Sequence, residues 1–259
     1  MEKKKGISGS TLKMIAIVTM LIDHIGAAVL ARLLMVNGLG ELDQTNTDAI
    51  MQWLSANGAL YGTYTAMRMI GRVAFPIFCF LLVEGFLHTH DVKKYAMRLG
   101  LFALISEIPF DLAFSSKILE FNYQNVFFTL FIGLLTMIAY RAVEEKEEWN
   151  QALKVILYIL IVAAGMALAY FLKTDYAEKG VFCIMVLYIF RKKKMWQIIA
   201  GCASFIWETP ALFGFIPIAF YNGTRGWKMK YFFYIFYPAH LLILYLLCYF
   251  MGISGYSAV

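Results

Sequence analysis

An aspartate and a histidine, Asp23 and His24, lie side by side within the first long apolar stretch of the sequence, residues 14–35. A charged side chain near the centre of a bilayer costs about 3 kcal/mol or more, so an ionisable residue there is expected to have a partner, a cavity or a function. The imidazole group titrates near neutral pH, which suits His24 to taking up and releasing protons during a reaction. His24 is therefore the first candidate for a catalytic residue.

The group that orients His24 is expected to come from a different helix. Asp23 is adjacent in sequence, and neighbouring residues on a helix do not face each other. Asp23 stays a candidate for the same site, but a carboxylate on another helix is better placed to hold the imidazole, and Glu107 is that candidate. Lys13 precedes His24 by eleven residues. This is about three helical turns, so both are predicted on one helix face, roughly 16 Å apart along the axis.

Two ion pairs are predicted between the second and third apolar stretches. Counted from the helix ends, Arg72 lies at the depth of Glu107, and Arg98 lies at the depth of Glu84. The Arg98–Glu84 pair is expected mainly to hold the helices together, whereas the Arg72–Glu107 pair fits a structural role and a substrate site equally well. Pro76 frees a backbone carbonyl and is expected to kink the second stretch.

Other polar residues in the apolar stretches have less specific interpretations. Arg68 and Asp111 are predicted near the outer membrane interface, where long side chains reach toward water. His240 lies near the middle of the last apolar stretch, close to Pro238. A hydrogen bond to a neighbouring helix is the ordinary role of such a histidine, and a functional role is the alternative.

The composition is that of a protein that crosses a membrane several times. Of the 259 residues, 61% are apolar and 15% are charged, against roughly 50% and 25% in soluble domains. Six stretches approach or exceed the ~20 apolar residues that a crossing needs: 12–35, 65–87, 93–114, 124–141, 154–172 and 231–252. We predict an all-α transmembrane bundle, with residues 1–259 forming a single integral membrane domain.

Three shorter apolar runs, 180–190, 196–207 and 211–221, leave the number of crossings open at about seven to nine. The last two are separated by Glu208, Thr209 and Pro210, and they either cross twice or form a re-entrant hairpin. The four cysteines lie within apolar runs, where they indicate buried packing and neither disulfides nor a metal site.

Lysine and arginine clusters alternate between the two sides of the predicted bundle. The N-terminus, the turn at 88–98, the cluster at 191–194 and the segment 222–230 are basic, whereas the loop 36–63 contains acidic residues and no Lys or Arg. This alternation predicts a cytoplasmic N-terminus. The net charge of +6 indicates contact with anionic lipid headgroups, and we expect no nucleic acid partner.

Six blocks of the sequence resemble the TraX family. They are LIDHIG (21–26), GRVAFPIFCFLLVEGFLHT (71–89), RLGLFALISEIPFDLAF (98–114), QNVFFTLFIGLL (124–135), YNGTRG (221–226) and FYPAHLLILY (236–245). The best-known member of that family is linked to N-acetylation of pilin subunits in the bacterial inner membrane. The family is also distantly similar to large membrane acyltransferases that O-acetylate sugars. Those enzymes have a basic residue, usually Arg, before an essential His, at the spacing that Lys13 has to His24. Glu84 stands where they have Ser.

The resemblance implies transfer of an acetyl group from cytosolic acetyl-CoA to an amine or hydroxyl acceptor at or across the inner membrane. His24 would act as the general base, with Asp23 and Glu107 as the other candidate catalytic residues. Arg72, His240 or Asn125 would stabilise the oxyanion. The residues expected to bind substrate or cofactor are Lys13, Arg72, Glu84, Arg98, Asn125 and His240. Lys93, Lys94 and the basic cluster 191–194 are expected beside Lys13 at the cytoplasmic mouth, where the phosphates of coenzyme A would bind.

Several alternatives stay open at this point. The acceptor could be a peptide amine, a glycan or a lipid, and His24 could either move protons only or carry the acyl group itself. A proton-coupled transporter would also place ionisable residues inside a bundle, and a non-catalytic membrane assembly factor would need no intact His24. The acyltransferase interpretation depends on His24 facing a water-accessible tunnel that is reached from the cytosolic side. No metal ion is expected.

Overall fold

The computed structural model describes residues 5–43, 45–227 and 230–257, and in these ranges the apolar stretches form α-helices. In chain order the helices are α1 (Gly9–His24), α2 (Ala31–Val36), α3 (Thr47–Gly71), α4 (Ala74–His88), α5 (Val92–Ser115), α6 (Val126–Glu144), α7 (Gln151–Phe171), α8 (Ala177–Ile189), α9 (Lys194–Ser204), α10 (Phe215–Ala219) and α11 (Lys230–Phe250). A π-helical stretch, Ile25–Leu30, continues α1 into α2. The predicted all-α class is confirmed. Lys3, Lys4 and Lys228, which contributed to the predicted orientation, lie outside the described residues.

Polar side chains determine where several of the long helices begin. Each capping side chain accepts a hydrogen bond from a backbone N–H of the first turn, which would otherwise lack a partner. The capping residues are Ser8 of α1, Asn46 of α3, Asp91 of α5, Asn125 of α6 and Asn150 of α7. At Asp91, hydrogen bonds from the backbone and side chain of Lys94 also hold the pKa of the carboxyl group below its usual range.

Five stretches of the described chain are long and apolar enough to cross a membrane. They are Gly9–Val36, Thr47–His88, Val126–Glu144, Gln151–Phe171 and Phe232–Phe250. Helix α5 is also long, with 24 residues, and packs against α6 and α11, although it carries more charged side chains. The six long spans that the sequence predicts are therefore all found as helices.

Residues 194–219 form a hairpin that enters the bundle and returns on the same side. Nζ of Lys194, at the start of α9, donates hydrogen bonds to the carbonyl oxygens of Ala219 and Tyr221, at 2.7 and 2.6 Å. The 11 residues of α9 rise by only about 16 Å, whereas the apolar layer of a bilayer is about 30 Å thick. The re-entrant alternative is therefore the one observed.

The predicted kink lies between α3 and α4, where the helix is interrupted at Arg72 and Val73. Pro76 has no N–H to donate to the carbonyl of Arg72, so the regular hydrogen-bond ladder cannot continue there. The interruption places Arg72 beside the tip of the hairpin, where Nε of Arg72 lies 3.5 Å from Oε1 of Glu208.

A buried arginine stabilises the end of the bundle where α2, α5 and the C-terminal segment meet, although the sequence patterns above do not single it out. Arg32 is 0% exposed. Its guanidinium group donates hydrogen bonds to the carbonyl oxygens of Ala113 and Tyr256, at 2.5 and 2.9 Å, and to Oγ of Ser116 at 2.9 Å. Carbonyl groups at the C-terminal end of a helix carry partial negative charge, so they stabilise the cation without a carboxylate. Arg32 thereby joins α2, the end of α5 and the C-terminal segment.

Replacing Arg32 tests this role. Arg32→Met removes several charge-assisted hydrogen bonds, which contribute about 1.5–3 kcal/mol each. We expect the free energy of unfolding in detergent to fall by at least about 3 kcal/mol, with a smaller loss for Arg32→Lys. The matched control is Lys192→Met, which removes an exposed cation. Equal unfolding curves for Arg32→Met and the control would contradict the assignment.

Candidate active site

The side chains of His24 and His240 meet between α1 and α11. Nδ1 of His24 lies 2.7 Å from Nε2 of His240, and Nδ1 of His240 lies 2.7 Å from the backbone carbonyl oxygen of Phe236. The two ring planes differ by 5°, with their centroids 4.9 Å apart. A nitrogen–nitrogen distance of 2.7 Å is too short for parallel rings stacked face to face. The rings therefore lie end to end, joined by a hydrogen bond.

The backbone carbonyl of Phe236 fixes which nitrogen atoms carry protons. A carbonyl oxygen can only accept, so Nδ1 of His240 carries the proton that it donates to Phe236. In the neutral ring, Nε2 of His240 is then an acceptor, and His24 donates its Nδ1 proton to it. This assignment follows from the hydrogen-bond pattern, and it leaves Nε2 of His24 with a free lone pair.

The unprotonated nitrogen of His24 is open to a cavity. Nε2 has no hydrogen-bond partner among the described residues, and it is not one of the side-chain atoms that the protein buries completely. His24 lines the cavity, whereas His240 does not. The edge of the imidazole that faces away from His240 is therefore the edge that meets the cavity.

The cavity has a volume of about 110 Å³ and two chemically different walls. Its polar wall includes Asp23, Arg68, Arg72, Tyr123, Asp175 and Tyr176. Its apolar wall includes Met20, Ala27, Ala74, Phe78, Phe110 and Phe114. His24 stands where the two walls meet, since its ring also makes an edge-on contact with Phe114 at 5.4 Å between centroids.

The cavity lies toward the end of the bundle that the sequence predicts to face outward, which differs from the expected cytosolic tunnel. Tyr123 and Asp175, which line it, belong to the loops that precede α6 and α8. Lys13, near the start of α1, does not line it. Ile17 and Tyr237 belong to a buried apolar cluster, and they occupy the levels between Lys13 and His24. The expected tunnel from the cytosol is therefore absent from this cavity, because apolar packing closes that direction.

Asp23 is held by Arg68, a residue that was expected only to reach toward water. Oδ2 of Asp23 lies 2.8 Å from Nη1 of Arg68. The other carboxylate oxygen, Oδ1, is buried without a hydrogen-bond partner. A Cβ atom at Gly71 would overlap the Asp23 carboxyl group, so only glycine allows this approach of α3 to α1. Asp23 does not contact His24 directly, as the sequence predicts.

The predicted ion pair between Arg72 and Glu107 is not formed. Arg72 pairs with Glu208 of the hairpin tip and shares a hydrogen bond with Tyr176. Glu107 accepts hydrogen bonds from both the backbone N–H and the side-chain amide of Asn125. The prediction used only depth along the helices, and depth does not show which side of a helix a residue occupies.

Glu107 and Asn125 form a capping unit and do not reach His24. Asn125 accepts from the backbone N–H of Phe127, at 3.0 Å, and donates to the carbonyl oxygen of Ala103 at 2.8 Å. Glu107 binds the remaining amide proton of Asn125. Both residues therefore position the start of α6 against α5. The orienting role that was expected of Glu107 is taken by His240.

The predicted residues at the cytoplasmic end are separate from the cavity. Lys13 lies over the ring of Phe233, with Nζ 5.1 Å from the ring centre. Lys13 and His24 thus both face α11, as predicted. The expected Arg98–Glu84 ion pair is absent from the described contacts, because Arg98 hydrogen-bonds Tyr234 and Glu84 hydrogen-bonds Tyr221.

Tyr123 and Asp175 are site residues that the sequence patterns missed. The Tyr123 hydroxyl donates to Oδ1 of Asp175 at 2.8 Å. The loss of hydration inside the protein raises the pKa of the Asp175 carboxyl group, while Tyr123 and Arg72 favour its ionised form. Both residues lie between helices, where apolar periodicity gives no information. The one usable signal is the polar group 173–175 that directly follows an apolar stretch.

Comparison with known proteins agrees with the sequence blocks. The model of the family described as TraX protein matches residues 8–248, a range that includes the histidine pair and the whole cavity wall. The chain belongs to the TraX family. A relative from Dichelobacter nodosus, described as probable fimbrial assembly protein FimC, serogroup H1, is 26% identical over 269 residues, which cover 94% of this chain and 97% of the relative. No solved structure matches.

The close approach at Gly71 gives a direct test of this TraX site. Gly71→Ala forces a methyl group against the Asp23 carboxyl group, and such overpacking typically costs about 1–3 kcal/mol of stability. In Gly62→Ala, on the same helix, the added Cβ meets nothing within 4 Å. That control is expected to be neutral or stabilising, since alanine favours helices by up to ~1 kcal/mol. Thermal unfolding distinguishes them, and equal destabilisation of both variants would contradict the geometry.

Proposed function

We propose that this TraX-family protein is an acyltransferase of the bacterial inner membrane, which transfers an acetyl group from acetyl-CoA to an acceptor. The observation that carries the proposal is the chain from Phe236 through His240 to His24, which leaves Nε2 of His24 unprotonated at a cavity. An imidazole held through one nitrogen, with the other free, is the arrangement of a general base. Membrane lipids, acetyl-CoA and the acceptor are the partners that this function requires.

His24 would remove a proton from the acceptor as the acceptor attacks the acyl carbon. The imidazolium that forms keeps donating its Nδ1 proton to His240, so a hydrogen bond that exists before the reaction stabilises the charge. The carbon–sulfur bond of the thioester breaks, a carbon–nitrogen or carbon–oxygen bond forms, and Nε2 passes its proton to the departing sulfur. His240 is a positioning residue in this scheme.

Arg68 is the best-placed donor for the oxyanion that develops on the acyl oxygen. One of its N–H groups is engaged by Asp23, and none of the others has a partner among the described residues. Arg72 lines the same cavity as a second cation. The hydrogen-bonding groups of His240 and Asn125 are already engaged, so these two are poorer candidates than the sequence suggested.

The charges around the polar wall favour a cationic amine as the acceptor. Two carboxylates and two guanidinium groups line the cavity: Asp23, Asp175, Arg68 and Arg72. A third carboxylate, Glu208, does not line it but pairs with Arg72. The excess of negative charge attracts an ammonium group. Such an acceptor loses one proton to water on becoming nucleophilic and a second proton to His24 during attack.

Delivery of the acyl group from the cytosol would use the face of α1 that points to α11. Lys13 and His24 lie on that face, about 16 Å apart along the helix. This separation is comparable to an extended pantetheine arm, with its phosphates beside Lys13 and the other cytoplasmic cations. Because Ile17 and Tyr237 pack between the two levels, these side chains have to move apart for the donor to reach His24.

A non-catalytic role in assembling surface fibres is the second candidate. The description of the Dichelobacter nodosus relative as a probable fimbrial assembly protein favours it. The two functions differ in whether they need Nε2 of His24. Transfer requires Nε2 of His24, whereas an assembly factor requires only the folded bundle.

Replacing single histidines separates the two functions. The assay uses purified protein in lipid nanodiscs, labelled acetyl-CoA, and a synthetic peptide with a free N-terminal amine. We expect His24→Ala to lower acetyl transfer about 100- to 10,000-fold, because it removes the general base. His240→Ala should cause a smaller loss, because it frees the orientation of His24. The matched control is His90→Ala, which removes an exposed histidine outside the cavity and should transfer at the wild-type rate.

The same peptide with a blocked amine controls for the acceptor and should receive no label. Wild-type transfer by His24→Ala protein would refute the enzyme proposal. If transfer is absent in every protein while fibre assembly in cells survives His24→Ala, the assembly role is the correct one.

A further inference from the structure

We propose that the apolar wall of the cavity limits the length of the acyl group, and that Phe110 and Phe114 set the limit. This inference rests on acyl transfer at His24 and adds which donors the protein can use. The reacting carbonyl has to lie within hydrogen-bonding distance of the groups around His24, so the rest of the acyl chain must occupy the space beside the imidazole.

Two buried rings bound that space continuously. Phe114 contacts the His24 ring edge-on, with centroids 5.4 Å apart. Phe110 packs on Phe114 at 4.9 Å and on Tyr123 at 5.4 Å. Phe110 and Phe114 are only 3% and 5% exposed. The wall therefore runs from the imidazole to the outer loop, and close packing behind it prevents either ring from yielding easily.

Small side chains on the helices across the cavity from Phe110 and Phe114 leave space beside the His24 imidazole. Ala27 lies one turn after His24, and Ala74 begins α4. Both line the cavity and are themselves buried, at 8% and 6% exposure. Larger residues at these two positions would fill the space beside the imidazole.

The volume sets the scale of the acyl group. The cavity measures about 110 Å³, which is less than the ~150 Å³ of an engineered apolar cavity that binds benzene. This space holds the reacting carbonyl, a methyl group and the incoming acceptor atom, but little more. A donor with a two-carbon acyl group fits, whereas each added methylene meets Phe110 or Phe114.

Rates with acyl-CoA donors of increasing length test the proposal. The transfer rate of the wild-type protein is measured with acetyl-, butyryl-, hexanoyl- and octanoyl-CoA as donors and the free-amine peptide as acceptor. We expect the rate to fall at least tenfold between acetyl and octanoyl donors. Phe114→Ala and Phe110→Ala should raise the octanoyl-to-acetyl ratio about tenfold, and Ala27→Val should lower the butyryl-to-acetyl ratio. The same bonds break and form with every donor, so the ratio isolates the fit of the chain.

Phe86→Ala is the matched control, because Phe86 is equally buried, at 1% exposure, but does not line the cavity. Its ratios should equal those of the wild type. If Phe114→Ala does not fold, Phe114→Leu provides the milder enlargement. A wild-type rate that is independent of chain length, or ratios unchanged by both phenylalanine variants, would overturn the length limit alone. Absence of transfer from every donor would overturn the proposed function as well.

Discussion

The hydrogen bond between Nδ1 of His24 and Nε2 of His240 is the interaction on which the site depends. It joins residues that are 216 positions apart, on the first and last helices of the bundle. The carbonyl oxygen of Phe236 determines which atoms donate and which accept in this series of hydrogen bonds, because it can only accept. The ring protons of both histidines are thereby assigned, and the lone pair on Nε2 of His24 lies at the cavity. The His24 imidazole is thus hydrogen-bonded through one nitrogen and lines the cavity with its other edge.

The scaffold keeps α1 and α11 in register at both ends of this pair. At the start of α1, the backbone N–H groups of Gly9 and Ser10 donate to the carbonyl oxygens of Thr224 and Arg225, at 2.8 and 3.0 Å. At the opposite end of the bundle, Arg32 of α2 donates a hydrogen bond to the C-terminal segment that follows α11. A shift of one helical turn in either helix would separate the two rings, so these distant contacts maintain the histidine pair.

Much of the fold is predictable from the sequence, because crossing length, apolar content and helix caps are local properties. Residue spacing also placed Lys13 and His24 on one face and gave Arg72 and Glu107 similar depths. The depth of a residue along its helix follows from its number of positions from the helix end and a constant rise per residue. The sequence alone is therefore enough to predict it. The rotation of a helix and the choice of its neighbour are tertiary properties. For this reason the partner of His24 was expected to be the carboxylate of Glu107, although the adjacent helix presents His240.

The same distinction explains the remaining differences. Glu107 accepts hydrogen bonds from Asn125, the residue that caps α6. Residue spacing in the sequence does not show that the amide of a loop residue will bind this buried carboxylate. Asp175 and Tyr123 come from loops whose positions depend on the whole bundle. The re-entrant hairpin was one of two alternatives until Lys194 was found beside the end of α10, since apolar length alone does not show where a short helix turns back.

Nitrogen-15 NMR of histidine-labelled protein, with His24→Ala and His240→Ala samples for assignment, tests the central claim most directly. Imidazole nitrogen shifts report which ring atom carries the proton. The account predicts, in the neutral protein, a proton on Nδ1 of both His24 and His240 and an unprotonated Nε2 on His24. A proton on Nε2 of His24 would contradict it, because that nitrogen could not then act as the base at the cavity.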